Sequence, residues 1–393
     1  MNGDIDFPLD RIRADTPACD SLIHFNNAGA SLQPKQVSDA IQSHLALEQR
    51  IGGYEAAAAE AARISHFYDA FARLLGAKPH EIAYVENATR AWDMAFYALP
   101  LEAGDRILTH ASEYASNYLA FLQLVRRRGI VIDLAPSDAS GQIDVETLTD
   151  AIRPRTKAIA ITHVPSQGGL VNPAAEVGYI ARQHGLFYLL DACQSVGQLP
   201  VDVGAIGCHL MSGTGRKFLR GPRGTGILYV SDDILEQLDP PFIDLHSAEW
   251  TAPDRFELAV GARRFENWEC FVAGKIGLAS AVDYALDIGL DAIGERVSRL
   301  AESLRGRLAS IPGVSVHDQG VHRSGIVTFV KESEAPEVMA QRLRNQRMNI
   351  SVTPRTYAQL DLGERGLDAV ARASVHYYNT EDEIERFSEA VAQ

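Results

Sequence analysis

The segment SGTGRKFLRGPRGTG, residues 212–226, places four cations, Arg216, Lys217, Arg220 and Arg223, among glycines and a proline. Glycines let backbone amides approach an anion closely, and the Ser212 and Thr214 hydroxyls add donors, so phosphate is the natural ligand. A solvated turn is the alternative reading. A nucleotide P-loop fits poorly, because Phe218 rather than Ser or Thr follows Lys217 and no glycine directly precedes the lysine. A dinucleotide fingerprint fails as well, since GTGRKF lacks its third glycine. A second feature is Asp191, which closes the apolar run of LFYLLDACQS. At the carboxyl end of a strand in an open parallel sheet, a carboxylate faces the ligand crevice and can pair with a protonated ring nitrogen. Gln194, three residues on, offers further hydrogen bonds; the alternative role for Asp191 is a helix N-cap. In ENATRAW, residues 86–92, Thr89 and the amides around Ala88 either open a helix and meet a phosphate at its positive end, or form a plain capping sequence.

Such side chains need a scaffold that gathers strand ends. From about residue 80 to 230, short runs rich in Ile, Val and Leu alternate with helical patterns, as in a parallel sheet wrapped by helices. RILTH (106–110), IVIDLA (130–135), KAIAITHV (157–164), LFYLLDA (186–192), HLMS (209–212) and GILYV (226–230) each fit a strand buried on both faces. Between two of them, Asn172, Pro173 and Gly185 fit the cap, first residue and exit of a helix. ALEQRIGGYEAAAAEAARISHFYDAFARLLGA reads as a helix pair broken at Gly52 and Gly53. Beyond about residue 265 the pattern becomes α+β. A long Ala- and Leu-rich helical stretch runs to about 310, followed by VSVHD, GIVTFV, a charged helix near 335–347 and a closing DEIERFSEAVAQ helix. The expected division is a large α/β domain over 15–260 and a small α+β domain over 261–393 with 1–14.

The surroundings limit the partners. With 51 Asp and Glu against 37 Lys and Arg, the formal charge of -14 repels nucleic acid and anionic membranes, so a small-molecule substrate is expected. No apolar run reaches bilayer length and the start, MNGDIDFPLDRIRAD, lacks the apolar stretch of a signal peptide, so a cytoplasmic location is expected. Cys19, Cys193, Cys208 and Cys270 form no Cys-x-x-Cys pair, which suggests neither a disulfide framework nor a metal site.

In order along nearly the whole chain, HFNNAGASLQP (24–34), ENATRAW, SEYASN, THVPSQGG, LLDACQS, GRKFLRGPRGTG, RFENWE (264–269) and RASVHYYNTEDEIE (372–385) resemble the fold-type I pyridoxal phosphate enzymes of the class V aminotransferase and cysteine desulfurase group. The resemblance implies an α/β architecture of PLP-dependent transferase fold type I: a large domain with a mostly parallel sheet and a smaller C-terminal α+β domain. It also implies pyridoxal 5'-phosphate as cofactor, an amino-acid substrate and a homodimer with its site at the interface. By it, Lys217 forms the Schiff base with the cofactor and later moves the substrate α-proton. Asp191 keeps the pyridine nitrogen protonated and Gln194 bonds the ring hydroxyl. Ala88 and Thr89 match the phosphate-binding turn, Thr214 matches a phosphate-side hydroxyl, and Arg216 stands where the family commonly has histidine. Tyr114 takes the place of a ring-stacking histidine, or is an ordinary core tyrosine. Arg372 matches the fork that grips a substrate carboxylate, or is an exposed arginine before a strand. The remaining lysines, Lys35, Lys78, Lys157, Lys275 and Lys331, lack a Gly-rich basic setting and read as solvated surface side chains.

Two departures bear on the reaction. Desulfurases of this group carry a sulfur-accepting cysteine on the loop shortly before the Arg372 position, whereas this chain reads NISVTPRTYAQLDLGERGLDAVARAS there. Cys270 is too distant along the chain to replace it. Arg355 and Tyr357 on that loop are instead candidates to contact the distal part of a substrate. RFENWE stands where relatives have a Gly-Thr that reaches the neighbouring subunit's cofactor phosphate; Asn267 is either a substitute donor or part of a helix entry. These segments look most like the lyase-like branch that includes hercynylcysteine sulfoxide lyases and isopenicillin N epimerase relatives. The expected reaction is that of a carbon-sulfur β-lyase on a cysteine S-conjugate or sulfoxide, releasing pyruvate and ammonia. An aminotransferase or an amino-acid epimerase on the same fold is the nearest alternative. A non-catalytic phosphate- or nucleotide-binding α/β protein is the alternative from a different class.

Overall fold

A computed structural model describes residues 7–393, so the first six residues of the expected small domain lie outside the described residues. Seven strands form the main sheet: β1 (Ile82–Val85), β2 (Arg106–Thr109), β3 (Val131–Leu134), β4 (Thr156–Thr162), β5 (Phe187–Asp191), β6 (Leu210–Thr214) and β7 (Gly226–Val230). Their order is β1-β7-β6-β5-β4-β2-β3. Strands β2 to β6 pair in parallel, and β7 runs antiparallel between β6 and β1. The expected strands are all present. One differs in setting: β3 is an edge strand, half-buried and with Leu134 exposed, because it has a neighbour on one side only.

Nine helices matter here: α1 (Lys35–Ile51), α2 (Ala61–Leu75), α3 (Ala88–Tyr97), α4 (Ala115–Arg128), α5 (Ala174–Gln183), α6 (Val272–Ile288), α7 (Leu290–Ala309), α8 (Pro336–Asn345) and α9 (Glu381–Ala392). Successive residues of a strand point to opposite faces, so Leu190 of β5 joins Phe67 and Phe71 of α2 and Leu278 and Val282 of α6 in one core. Its neighbour Leu189 joins Trp92 and Phe96 of α3 and Phe121 of α4 in the other. Both faces of the sheet are covered, which is why its central strands read as unbroken apolar runs.

A second sheet, β8 (Val314–Val316), β9 (Ile326–Lys331), β10 (Ser351–Pro354) and β11 (Ala369–Ser374), is antiparallel in the order β8-β9-β11-β10. Leu300 and Leu304 of α7, Met339 of α8 and Phe387 of α9 cover it. Ile23–His24 pair in parallel with Met348–Asn349, and Phe25 sits in this third core. Among the described residues, no helix is long and apolar enough to cross a membrane.

Several local expectations change. The long helical stretch to 310 is two helices, because Gly289 turns at φ +96°, a region that favours glycine. The helix pair is three pieces, with a short helix over Gly53–Ala59 between α1 and α2. Asn172 does not cap α5, for its amide is spent elsewhere: Nδ2 donates to the Thr162 carbonyl at 2.8 Å, and Pro173 takes the cap position. Lys275 and Lys331 are buried rather than solvated. Lys275 Nζ donates to the Tyr68 hydroxyl at 2.7 Å and lies over the Tyr68 ring, since α6 turns this position inward; Lys331 donates to the Val391 carbonyl at 2.8 Å.

Arg220, from the basic loop, is 1% exposed and has φ +62°. Its guanidinium donates to the Leu32 carbonyl (2.8 Å), the Tyr377 hydroxyl (3.0 Å) and the Thr16 hydroxyl (2.5 Å), and lies 4.7 Å over the Tyr378 ring. This cation joins early and late chain segments and lies outside the cavity that Arg216 and Lys217 line. Arg220→Ala leaves buried acceptors unpaired and should lower unfolding free energy by about 3 kcal/mol or more, measured by urea titration.

Candidate active site

Strand β5 lies between β4 and β6, with Asp191 in register with Thr162 and Ser212. Asp191 is 4% exposed, and the chain turns sharply after it without entering a helix, so helix capping is not its role. Its Oδ1 accepts from the Cys193 amide (2.9 Å) and its Oδ2 from Asn117 Nδ2 (2.8 Å). The carboxylate is therefore held by neutral donors. That leaves its charge available to a cationic ligand.

Strand β6 ends at Thr214, and the turn that follows delivers Arg216 and Lys217. Lys217 is buried, its Nζ without a hydrogen-bond partner among the described residues and 5.8 Å from the centre of the Tyr114 ring. Burial pushes its ammonium below the ordinary lysine range; Cys193 and Asp191 oppose this, while the charges of Arg216 and Arg372 add to it. A lysine shifted this way has more free amine at neutral pH, which suits a nucleophile or base.

Helix α3 begins at Ala88, where the Asn87 side chain accepts from the Arg90 amide at 2.9 Å. The amides of Ala88 and Thr89 precede the first intrahelical donor, the Ala91 N–H that bonds the Asn87 carbonyl, and so are left free at the positive end of the helix. Gly226 opens β7 directly against this turn. A Cβ there would come within 2.7 Å of the Asn87 carbonyl carbon, so glycine lets sheet and helix end close around one space.

That space is a single cavity gathering Ala88, Thr89, Tyr114, Asp191, Thr214, Arg216 and Lys217. Arg216 is steadied by donating to the Gly29 carbonyl at 2.7 Å. Gln194 is buried just beyond the lining residue Cys193; its Nε2 donates to the Ala28 carbonyl at 3.1 Å and its Oε1 has no partner among the described residues. Arg372, on β11, donates Nε to the Ser351 hydroxyl (3.0 Å) and Nη1 to the Ser166 carbonyl (2.8 Å). Among the described residues its Nη2 has no partner, and burial lowers the guanidinium to about 10, with Arg216 adding to the effect. Arg355 lies apart from the cavity lining, exposed, 3.9 Å from the Asp368 carboxylate. Of the four loop cations, Arg220 points inward to the core and Arg223 outward to solvent.

Sequence reasoning did not single out Asn87, Asn117, Cys193, Gly224 and Thr225, which also line the cavity. Nor did it find Glu113, whose carboxylate accepts from Asn117 Nδ2 at 2.9 Å. The available signal was the spacing of four between Glu113 and Asn117 within SEYASN, which puts both on one side of a helix entry.

The residues fit pyridoxal phosphate. Free first-turn amides and the hydroxyls of Thr89 and Thr214 suit a phosphate, the Asp191 carboxylate suits a ring N–H, and the Tyr114 ring offers an aromatic face. The unpartnered amine of Lys217 suits an aldehyde, and the orphaned Gln194 Oε1 marks a polar contact that the protein alone does not satisfy.

Comparison with known proteins agrees. The family model for class-V aminotransferases matches residues 23–387. The chain is 28% identical to a probable cysteine desulfurase of Methanothermobacter thermautotrophicus, over 97% of each chain. It is 32% identical to a probable cysteine desulfurase of Xylella fastidiosa, over 97% of this chain and 94% of the relative. The solved apo structure of a cysteine desulfurase from Thermococcus onnurineus superposes with a TM-score of 0.92 at 26% identity, covering 99% of this chain and 98% of that one.

Lys217→Ala should abolish the visible absorbance that appears when the protein is mixed with pyridoxal phosphate. Asp191→Asn should lower turnover by about 100-fold or more while changing unfolding free energy by less than about 1 kcal/mol. Absorbance scans and urea titration measure the two.

Proposed function

Because the chain belongs to the class-V aminotransferase family and is a pyridoxal-phosphate-dependent enzyme, we propose that it cleaves the carbon-sulfur bond of a cysteine S-conjugate or sulfoxide by β-elimination, leaving pyruvate and ammonia. The observation that carries this reading is that the one cysteine lining the cavity, Cys193, is buried with its thiol raised, and that the loop before Arg372 offers none. The connection between β10 and β11 contains no cysteine. Cys19, Cys193 and Cys208 are buried, and burial pushes their thiols up, to about 11 for Cys19, to about 12 for Cys208 and well above the ordinary range for Cys193. Cys270 is half-buried, and burial raises its thiol too. Thiolates are the nucleophilic form, so such groups accept sulfur poorly. In β-elimination the sulfur leaves with the bonding pair and is carried off by solvent.

When bound, pyridoxal phosphate supplies an aldehyde that condenses with amines and a ring that takes up the electron pair left when Cα loses its proton. The Ala88 and Thr89 amides and the Thr214 hydroxyl hold the phosphate. Asp191 keeps a proton on the ring nitrogen, with Asn117 pinning Oδ2. Lys217 Nζ anchors the cofactor, then takes the Cα proton and can return it to the departing sulfur. Arg372, aimed by Ser166 and Ser351, offers Nη2 to the substrate carboxylate. Arg355 and Tyr357, exposed on the β10–β11 connection and outside the cavity lining, would meet only the distal part of a substrate long enough to extend beyond the cavity. A homodimer in the cytoplasm completes the reading; the exposed apolar side chains of Leu245, Trp250, Phe256 and Val260 support the dimer.

The names of the two relatives favour a second reading, desulfuration of free cysteine to alanine. It requires one of the four cysteines to carry persulfide. Assaying S-substituted cysteines, sulfoxides and free cysteine for pyruvate and for alanine separates the two. The expected result is pyruvate in step with thiol released from S-substituted cysteines, or with sulfenic acid released from sulfoxides, and Cys270→Ser within about twofold of the parent. Alanine formation that depends on Cys193 or Cys270 would establish the desulfurase instead, and accumulation of pyridoxamine phosphate would indicate a transaminase. Arg372→Lys should raise KM by about 10-fold or more with a smaller effect on kcat, as expected when a charge-assisted fork is lost.

A further inference from the structure

A second carboxyl group stands behind Asp191. Glu113, at the entry to α4, is 4% exposed. Its Oε1 accepts from three donors, Asn117 Nδ2 (2.9 Å), the Tyr114 amide (2.8 Å) and the Thr162 hydroxyl. Its Oε2 meets only the Thr109 hydroxyl, at 3.2 Å. The Asn117 amide is shared, giving its second hydrogen to Asp191 Oδ2 at 2.8 Å. One NH2 group therefore joins two carboxyl groups, one in the cavity and one behind it.

Two buried negative charges on a single amide repel, and the arrangement of donors shows how the conflict is relieved. Every group that can only donate to Glu113 sits at Oε1. The single neighbour of Oε2 is a hydroxyl, which can accept as well as donate. This is the pattern of a carboxylic acid, with Oε1 as the carbonyl oxygen and an Oε2 proton given to Thr109 Oγ1. Burial pushes the Glu113 carboxyl up to about 7 and the charge of Asp191 adds to the rise, against the opposing pull of the hydrogen bonds from Thr162, Asn117 and Tyr114. Near it in the chain or across Asp191 lie His110 after β2, His163 after β4, Tyr114 on its own turn, and Cys193 and Lys217 beyond Asp191. Burial lowers both histidines to about 4, so they stay neutral near pH 7.

We propose that Glu113 is a positioning residue that works as the neutral acid, aiming the Asn117 amide at Asp191 Oδ2 while leaving Asp191 the only carboxylate charge at that end of the cavity. The proposal rests on the reading of Asp191 as the partner of the cofactor ring nitrogen. Glu113 touches neither cofactor nor substrate; it acts through Asn117.

The test compares wild type, Glu113→Gln, Glu113→Leu, Asn117→Leu and Asp191→Asn. At neutral pH the infrared spectrum of the holoenzyme should contain a protonated-carboxyl stretch that Glu113→Gln removes; an unchanged spectrum overturns the proposal. Glutamine keeps a carbonyl for the three donors and an NH2 for Thr109, so Glu113→Gln should hold pyridoxal phosphate within about twofold of wild type. Glu113→Leu, or Asn117→Leu if the former does not fold, should weaken cofactor binding about 10-fold, equivalent to about 1.4 kcal/mol. Weakening by Glu113→Gln as large as by Glu113→Leu would mean the charge is needed; no weakening by either leucine variant would mean nothing is positioned. Each result overturns the proposal. With the carboxyl raised above its ordinary value, the folded chain keeps a proton that the unfolded chain releases. Wild-type stability should thus fall relative to Glu113→Gln as pH rises from about 5 to about 7 and then level off, and a flat difference counts against the neutral acid. Failure of the Asp191 reading looks different: Asp191→Asn would retain cofactor affinity and turnover while the infrared band still responded to Glu113→Gln.

Discussion

The site is organised around an amine buried without a counter-ion in hydrogen-bond contact. Lys217 has been taken out of water, and two arginines, Arg216 and Arg372, add their fields to the same region. Removing an ammonium from water disfavours its charged form, so the fold shifts this lysine towards the free base that covalent chemistry needs. The compensating charge of Asp191 is nearby but engaged by Asn117 and the Cys193 amide rather than by the lysine. Had Asp191 closed a salt bridge on Lys217, the amine would be held protonated and the carboxylate spent.

Keeping these charges separate depends on the sheet. Parallel strands β4, β5 and β6 bring Thr162, Asp191 and the Thr214–Lys217 turn to one edge, while the antiparallel β7 returns along β6 and presses Gly226 against the start of α3. The Ala88 and Thr89 helix turn, the Asp191 carboxylate and the Lys217 amine thus share one cavity although about 130 residues separate Ala88 from Lys217. The second sheet contributes Arg372 through β11, and Ser166, in the segment after β4, accepts from it across the two sheets. Arg220 secures the same junction from behind, tying Thr16 and Leu32 to Tyr377.

Legibility in the sequence followed the physics of each element. The central strands were readable because burial on both faces demands continuous apolar runs, and Lys217, Asp191 and Thr89 were readable because their segments pair unusual residues with turn or strand-end signals. The edge position of β3 was hidden, since IVIDLA has the same composition as its buried neighbours and only pairing order distinguishes them. Lys275 escaped for a related reason: an Ala-rich helix such as α6 has apolar residues around much of its circumference, and its register against α1 and α2 decides which side chain is enclosed. Asn172 carried a sound capping signal, but the Thr162 carbonyl claimed its amide first.

By itself, the sequence determined the α/β architecture and the family resemblance and singled out Lys217, Asp191 and the Ala88–Thr89 turn, which the fold gathers in one cavity, because residue type and local spacing are enough to mark strand ends, helix starts and unusual polar groups. Only the tertiary structure decided which of four neighbouring cations face the cavity, that Arg220 belongs to the core, and that Asn117 bridges Asp191 to Glu113. Those outcomes depend on distances between segments remote in the chain, on which face of each element is enclosed, and on the loss of water that folding imposes on the groups brought together.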